Sequence, residues 1–320
     1  VAEIGLGIVG CGQFARAHLK AVEETDGVRV TAAVDVDAGR AKAVAEATGA
    51  GFWTTDYDAV LARDDVDAVV LVLPHDLHLP FSVRASDAGK HVLVEKPMAL
   101  TEEEGKQMVA AADAAGKRLM VGQSSRYSGP LQRAHALMEE GVVGDIVNVL
   151  HQRMFWVDQP STGWRKEQDA CGGFYLPLFG SHDIDAMLWL LDASPTQVWA
   201  AIRNEGSSYA GDSDGFVGME FAGGMVASVS FSCQAKRDRT ETVLVGRKAT
   251  LAVTRGQVFV DDQPVDVPKG PSQTTRQMQA FVCALREGVD VPTPGRQVLR
   301  VLRVLDLART SSASGTRMAF

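Results

Sequence analysis

Cysteine is scarce: Cys11, Cys171, Cys233 and Cys283 are the only four in 320 residues, with no C-x-x-C pair and no metal-type His/Cys spacing. That pattern excludes a disulfide scaffold, points away from a bound metal, and reads as buried thiols in a reducing cytosol. A basic surplus is also missing. Lys and Arg number 32 against 40 Asp and Glu, a net charge of −8. A phosphate-backbone binder needs the opposite balance, and so does adhesion to an anionic membrane, so neither nucleic acid nor membrane is expected as a partner. No apolar run approaches the ~20 residues of a membrane span. Val1–Gly10 is too short and uncharged for a signal peptide, and the absent initiator Met points to a processed or trimmed start. HExxH and GxSxG are absent as well, which leaves zinc-protease and serine-hydrolase chemistry without support.

What is present is ordinary globular material, 46% hydrophobic and 22% charged, in a length that suits two domains at ~150 residues each. The first 122 residues alternate apolar β-branched runs with Ala-rich helical stretches. The runs are Ile4–Val9, Val28–Val34, Ala68–Leu73, His91–Glu95 and Leu119–Val121; the helices are Phe14–Glu24, Ala38–Thr48, Leu79–Ala88 and Glu102–Ala115. Continuous apolar strands separated by helices predict a parallel sheet covered on both faces. Gly49, Gly89 and Gly116 stand where glycines end helices, and Thr101–Glu104 reads as a capping box. Beyond Gly122 the texture becomes α+β. Helices are predicted at Leu131–Glu140, Asp183–Leu191, Ala280–Glu287 and Gln297–Thr310, with a strand at Ile146–Trp156. Strand-like runs then follow at Val198–Arg203, Gly215–Phe221, Met225–Cys233, Thr240–Val245, Ala249–Thr254 and Gln257–Val260. In Met225–Cys233 the residues Val226, Val229 and Phe231 alternate with Ala and Ser, as an antiparallel sheet buried on one face requires. The expected division is a first domain at 1–122 and a second at 123–320.

Gly10-Cys-Gly12-Gln13-Phe14-Ala15 is G-x-G-x-x-A between the first strand and the first helix, and Asp35 follows the second strand 20 residues after Ala15. Gly10 permits the tight turn, Gly12 lets the backbone approach a pyrophosphate, and Ala15 allows helix and strand to pack closely. The phosphates would sit on the helix N-terminus. A carboxylate at Asp35 accepts adenosine ribose hydroxyls and repels a 2′-phosphate, which favours NAD over NADP; Arg40 nearby softens that preference. The plainer reading is a glycine turn in a sheet that binds nothing. After Ala68–Leu73 comes Pro74-His75-Asp-Leu-His78, on the strand-end side where ligands bind, so Pro74, His75 and His78 either face the cofactor or cap and pack the next helix. His91-Val-Leu-Val-Glu95 runs into Lys96-Pro97, a charged pair at the same strand-end edge, with a proline that can take a cis bond and aim the lysine.

Taken in order, Gly7–Gly12, Pro74-x-x-x-His78, Ala88–Pro97 with its Glu95-Lys96-Pro97, Gly122-Gln-x-x-Arg126-Tyr127, Trp164-Arg165, Gly172-Gly173 and Gly180-Ser-His182-Asp-Ile-Asp185 resemble the Gfo/Idh/MocA family over nearly the whole chain. The resemblance implies a doubly wound (Rossmann) parallel sheet followed by an α+β domain with an open, mostly antiparallel sheet that often carries subunit contacts. A homodimer or homotetramer is therefore expected. It also implies NAD(P)-dependent oxidation of a secondary alcohol on a sugar, sugar derivative or inositol. In that pattern Lys96 hydrogen-bonds the reacting oxygen and His182 accepts its proton, roles that a neutral imidazole and an amine beside a nicotinamide cation suit. Arg126, Tyr127, Trp164, Arg165 and Asp185 fall where the family recognises substrate, and Trp156 lies in the same stretch. The plainer readings are core packing for Trp156, a surface ion pair for Arg165 and a helix cap for His182. One departure stands out: the family's commoner pattern has Asp four residues before the histidine, and here Leu178 occupies that place. Either His182 works with Lys96 alone, or Asp183 or Asp185 supplies the partner, or the chemistry is altered. The rival functions are glycosidic cleavage through transient oxidation by tightly held NAD, and a non-catalytic sugar- and NAD-binding regulator.

Overall fold

Six short strands, apolar on both faces, make the first sheet of the computed structural model, which describes residues 3–205, 209 and 211–320. Val1 and Ala2, where the expected first domain begins, lie outside the described residues. The strands are β1 (Ile4–Val9), β2 (Val28–Val34), β3 (Phe52–Thr54), β4 (Ala68–Leu71), β5 (His91–Val94) and β6 (Leu119–Val121), ordered β3-β2-β1-β4-β5-β6. Every pair is parallel. Leu6, Ile8, Val69, Val70, Leu71, Leu93 and Val94 are buried regardless of which way they point along the pleat, as helices on both faces require. Those helices are α1 (Ala15–Glu23), α2 (Ala38–Thr48), α3 (Tyr57–Leu61), α4 (His78–Asp87) and α5 (Glu102–Ala114). Gly49, Gly89 and Gly116 take left-handed conformations just past α2, α4 and α5. At the start of α5, Thr101 Oγ1 accepts from Glu104 N, but the Glu104 carboxylate accepts from Leu100 N rather than from Thr101. The box is thus displaced by one residue. β3 and α3 were not read from the sequence, because three and five residues are too few to display a period.

The chain continues with α6 (Gly129–Glu139), β7 (Ile146–Trp156), α7 (Gln168–Cys171), α8 (Ser181–Leu191), β8 (Gln197–Arg203), β9 (Asp214–Glu220), β10 (Val226–Ser232), β11 (Gln234–Gly246), β12 (Thr250–Thr254), β13 (Val258–Val260), β14 (Gln263–Val265), α9 (Gln273–Glu287), α10 (Gly295–Ser314) and β15 (Met318–Ala319). Nine of these form an open sheet, β14-β13-β12-β11-β7-β10-β9-β8-β15. It is antiparallel except for the β7–β10 pair, which runs parallel. One face carries Val149, Val198, Val217 and Val229, all buried. The other exposes Leu150 at 48%, Phe216 at 37% and Val226 at 39%. Val226 therefore corrects the sequence reading of β10. It differs from Val229 by an odd number of positions, so the two-residue period turns it to the opposite side, and Ala227 joins Val229 and Phe231 within.

Contacts divide the chain into two compact units. One holds residues up to Ser124 together with Pro271–Leu299; the other holds Ser125–Gly270 with Arg300–Phe320. In the first, α9 packs on α1, where Thr275 Oγ1 donates to Glu24 at 2.8 Å, and Thr293 Oγ1 donates to the Val121 carbonyl at 2.8 Å. No helix among the described residues is long and apolar enough to cross a membrane.

Candidate active site

The strand order of the first sheet reverses between β1 and β4, and loops at the carboxyl ends of its strands bring the sequence motifs to one edge. Gly10 has φ +91°, and a Cβ there would stand 2.2 Å from the Val72 carbonyl oxygen, so no other residue fits this turn. Gly12 is the converse: where its Cβ would be, nothing lies within 4 Å, leaving bare backbone open to a ligand. α1 begins at the buried Ala15 with no acidic residue in its first turn, so its positive end is unopposed. Asp35 follows β2. Its Oδ2 accepts from Cys11 N at 2.8 Å, and its Oδ1 accepts from Asp37 N at 2.9 Å and from Arg40 Nη2 at 2.9 Å. Arg40 thus pairs with the carboxylate that sequence reasoning set beside it. Phe14 and Val36 flank the loop as exposed apolar side chains. This edge fits a dinucleotide: Gly10, Gly12, Gln13 and the amino end of α1 suit the pyrophosphate, and Asp35 suits the ribose. Burial first, and the Asp35 charge second, push the Cys11 thiol up to about 12, so it stays protonated as a packing group against the Val34 carbonyl.

Glu95, Lys96 and Pro97 leave β5 at the same edge, with a cis Lys96–Pro97 bond. The sequence left His75 and His78 open between cofactor contact and packing. His75 lies buried in the single turn His75–Leu77. His78 is fully buried, with Nδ1 2.8 Å from the Pro97 carbonyl and Nε2 3.1 Å from the Leu73 carbonyl. Burial lowers its pKa, and with a ring nitrogen set against each of the two carbonyls the buried imidazole lies between the two loops and presents no edge to a ligand. Two buried groups escaped the sequence reading. His18 Nε2 lies 2.8 Å from Glu95 Oε1, and Gln123, after β6, is buried with both amide atoms lacking a hydrogen-bond partner among the described residues. His18 shares the buried stripe Ala15, His18, Ala21, Val22 of α1. A histidine on an apolar helical stripe was the available signal.

In the second unit His182 is the second residue of α8, half-buried, after a π-helical turn at Leu176–Gly180. Leu178 is buried in that turn. Asp183 and Asp185, the two candidate partners of His182, are both engaged elsewhere. Asp183 accepts from Arg153 Nε at 2.8 Å and from Tyr175 Oη at 2.6 Å, and lies 3.3 Å from His151 Nε2. Burial alone would raise its pKa, but His151 and Arg153 overcome this and hold the carboxyl well below the usual range. Asp185 and Arg126 form a bidentate pair, 2.7 and 2.6 Å, with side chains 0% and 3% exposed. Sequence reasoning placed both among substrate contacts; the structure turns them toward each other in the interior, where they anchor α8. Tyr127 ends the turn Ser124–Tyr127. The Arg165 guanidinium stands 5.3 Å from the Trp164 ring centroid and donates to Ser161 Oγ, with no ion pair to Arg165 among the described residues. Trp156 is exposed rather than packed in the core, beneath Lys236. A further missed residue is Asp212, whose buried carboxylate accepts from the Phe174 and Leu176 backbone ahead of α8 and whose pKa burial raises. No group of metal-ligating side chains occurs among the described residues.

Comparison with known proteins gives this arrangement a lineage. The oxidoreductase family with an NAD-binding Rossmann fold matches residues 4–123, and the GFO/IDH/MocA C-terminal domain matches residues 131–252. Inositol 2-dehydrogenase of Rhizobium meliloti is 25% identical over 333 residues, 97% of each chain. The 2,7-anhydro-N-acetylneuraminate hydratase of Mediterraneibacter gnavus is 26% identical over 255 residues, 78% of this chain and 67% of the relative. The WlbA dehydrogenase of Bordetella pertussis, crystallised with NADH and UDP-GlcNAcA, superposes with a TM-score of 0.89 at 25% identity, covering 100% of this chain and 98% of that one. Since the two matched domains together take up most of its length, the chain belongs to the Gfo/Idh/MocA family of NAD-binding oxidoreductases.

Proposed function

We propose that this protein oxidises a secondary alcohol on a sugar, sugar derivative or inositol, with NAD as hydride acceptor and with Lys96 and His182 handling the proton. The observation that carries the reading is the edge of the first sheet. There the glycine loop at Gly10–Ala15, Asp35 and the Glu95-Lys96-Pro97 turn follow β1, β2 and β5 of one parallel sheet. NAD, when bound, supplies the hydride-accepting ring; alignment and proton handling fall to the chain. A carbinol becomes a carbonyl only as its hydroxyl proton leaves, so a base must stand within hydrogen-bond reach. His182 is that base and the Lys96 amine donates to the reacting oxygen. Tyr127, Trp164 and Arg165 recognise the substrate, the indole face lying on sugar C–H bonds and the guanidinium holding hydroxyls or a carboxylate. Asp35 accepts from the adenosine ribose and selects NAD over NADP. Arg126 and Asp185 serve by fixing α8.

The exposed sheet face of Leu150, Phe216 and Val226 supports assembly with a second copy, giving a homodimer or homotetramer. The four cysteines, dispersed along the chain with no C-x-x-C pair, suit a cytosolic setting.

The test is a panel of sugars and inositols with NAD and NADP, read as reduced-nicotinamide absorbance. Turnover of at least one polyol with NAD is expected. NADH binding without turnover of any of them would overturn the reading, and product formed with no net reduced cofactor would replace it with transient oxidation.

A further inference from the structure

Lys96 stands between two histidine tethers, both within the first unit. Before it, His18 Nε2 on α1 meets Glu95 Oε1 at 2.8 Å; His18 is wholly buried and the Glu95 side chain is 11% exposed. After it, His78 Nδ1 on α4 meets the Pro97 carbonyl at 2.8 Å. A third wall closes on the carboxylate. A Cβ on Gly122 would lie 3.0 Å from Glu95 Oε1, so the backbone after β6 presses directly against it.

The His18 ring reveals its own protonation. Nδ1 is buried with no hydrogen-bond partner among the described residues. An imidazolium would strand a second N–H there, which a desolvated interior disfavours. The ring is therefore neutral, with its one proton on Nε2 donated to Glu95. A neutral donor fixes the carboxylate without cancelling its charge. Glu95 is thereby held at a set position, and the next residue in the chain is the lysine.

We infer that His18 is a positioning residue for Lys96, fixing through Glu95 the charge that sets where the amine points and how firmly it holds its proton. The inference rests on the reading of Lys96 as the group that meets the reacting oxygen. A misplacement of about 1 Å at such a group costs ~100-fold in rate. Packing alone predicts no such loss, since leucine fills the same stripe of α1.

Three variants test it, His18→Leu, His18→Gln and Glu95→Gln. Each is assayed for kcat and KM with the best alcohol of the panel, for NADH affinity by nicotinamide fluorescence, and for the titration of Lys96 by NMR of [ε-13C]lysine-labelled protein. His18→Leu is expected to lower kcat by about 100-fold, to change NADH affinity by under about threefold, and to lower the Lys96 titration midpoint through loss of the fixed carboxylate. His18→Gln restores a donor where Nε2 stood and should recover kcat to within about fivefold. Glu95→Gln keeps the bond but deletes the charge, and should match His18→Leu. It decides the question if His18→Leu does not fold. The inference is overturned if the folded variants keep kcat within about threefold and leave Lys96 unmoved, or if His18→Gln is no better than His18→Leu. Because the Lys96 titration needs no turnover, a wild-type protein inert toward every alcohol but responsive in that titration would remove the functional reading and leave the tether standing.

Discussion

Replacing Arg126 with methionine would expose the cost of one buried charge. Arg126 and Asp185 make two short bonds, 2.7 and 2.6 Å, with almost no surface on either side chain. Methionine fills much of the space and leaves the Asp185 carboxylate without its fork. Breaking a buried pair from one side costs ~3–5 kcal/mol, a large share of the ~5–15 kcal/mol that holds a domain together. Arg300 lies close enough to act electrostatically on both partners, so part of the charge remains compensated, and we expect about 3 kcal/mol. The sign of its pH dependence follows from Asp185. Burial raises its carboxyl above the ordinary value even though Arg126 pulls it down, and without Arg126 it rises further. A carboxyl whose folded pKa exceeds its unfolded value, ~3.9, binds a proton in the folded state first, so stability falls as pH rises through the folded value. The deficit of Arg126→Met should therefore be full at pH 8 and smaller at pH 5, measured by urea unfolding with far-UV circular dichroism. The double variant Arg126→Met/Asp185→Leu should recover most of the loss, since an apolar replacement leaves no charge to bury. A deficit under about 1 kcal/mol, one equal at both pH values, or a double variant as weak as the single would refute the reasoning.

Lys96→Met should cut kcat by ~10²–10⁴-fold while NADH binding, read by fluorescence, stays within about threefold; near wild-type turnover would remove Lys96 from the chemistry. His182→Ala should lose kcat on the same scale, and full retention would remove the proposed base. Asp35→Ala gives up a charged hydrogen bond to the ribose and should shift the ratio of NAD to NADP affinities toward NADP by ~10-fold or more; calorimetric titration showing an unchanged ratio would remove Asp35 from cofactor selection. Leu150→Lys, at the exposed centre of the nine-stranded sheet, should lower the mass seen by light scattering toward that of one chain with the fold unchanged. An unaltered mass would put any subunit contact elsewhere.

Much of the first unit was legible because a buried parallel sheet advertises itself. Its strands are apolar without interruption and its helices are closed by glycines, so β1, β2 and α2 could be read to within a residue. The return of Pro271–Leu299 to that unit was not legible. What draws α9 to α1 is long-range bonding, such as Thr275 to Glu24, 251 positions apart, and no local period records it. In the second unit the one parallel pairing, β7 with β10, was equally hidden, since alternation tells which face a residue takes but not which neighbour its strand adopts.

The site was legible in composition and illegible in direction. Sequence placed Asp183 and Asp185 beside His182 and left open which of them serves it. The cations that decide this arrive from distant segments. Arg153 and His151 lie 30 or more positions before Asp183, on the inward face of β7, and Arg126 lies 59 before Asp185. Each pair satisfies a carboxylate that α8 would otherwise bury unpaired, and a buried carboxylate turns toward the nearest fixed cation before it turns toward a neutral ring. Leu178 is apolar, and Asp183 and Asp185 are both bound elsewhere, so the segment leaves neither acid for a carboxylate relay to His182; the other arrangement is a His182 that works without one. Leu178→Asp then distinguishes the two arrangements. It should broaden the acidic limb of the kcat profile if an acid can still enter the relay, and it should only destabilise the π-helical turn, as a buried unpaired carboxylate must, if the chain has reorganised around its loss. The second outcome is expected, because Leu178 is buried in the turn that Asp212 holds from the backbone side.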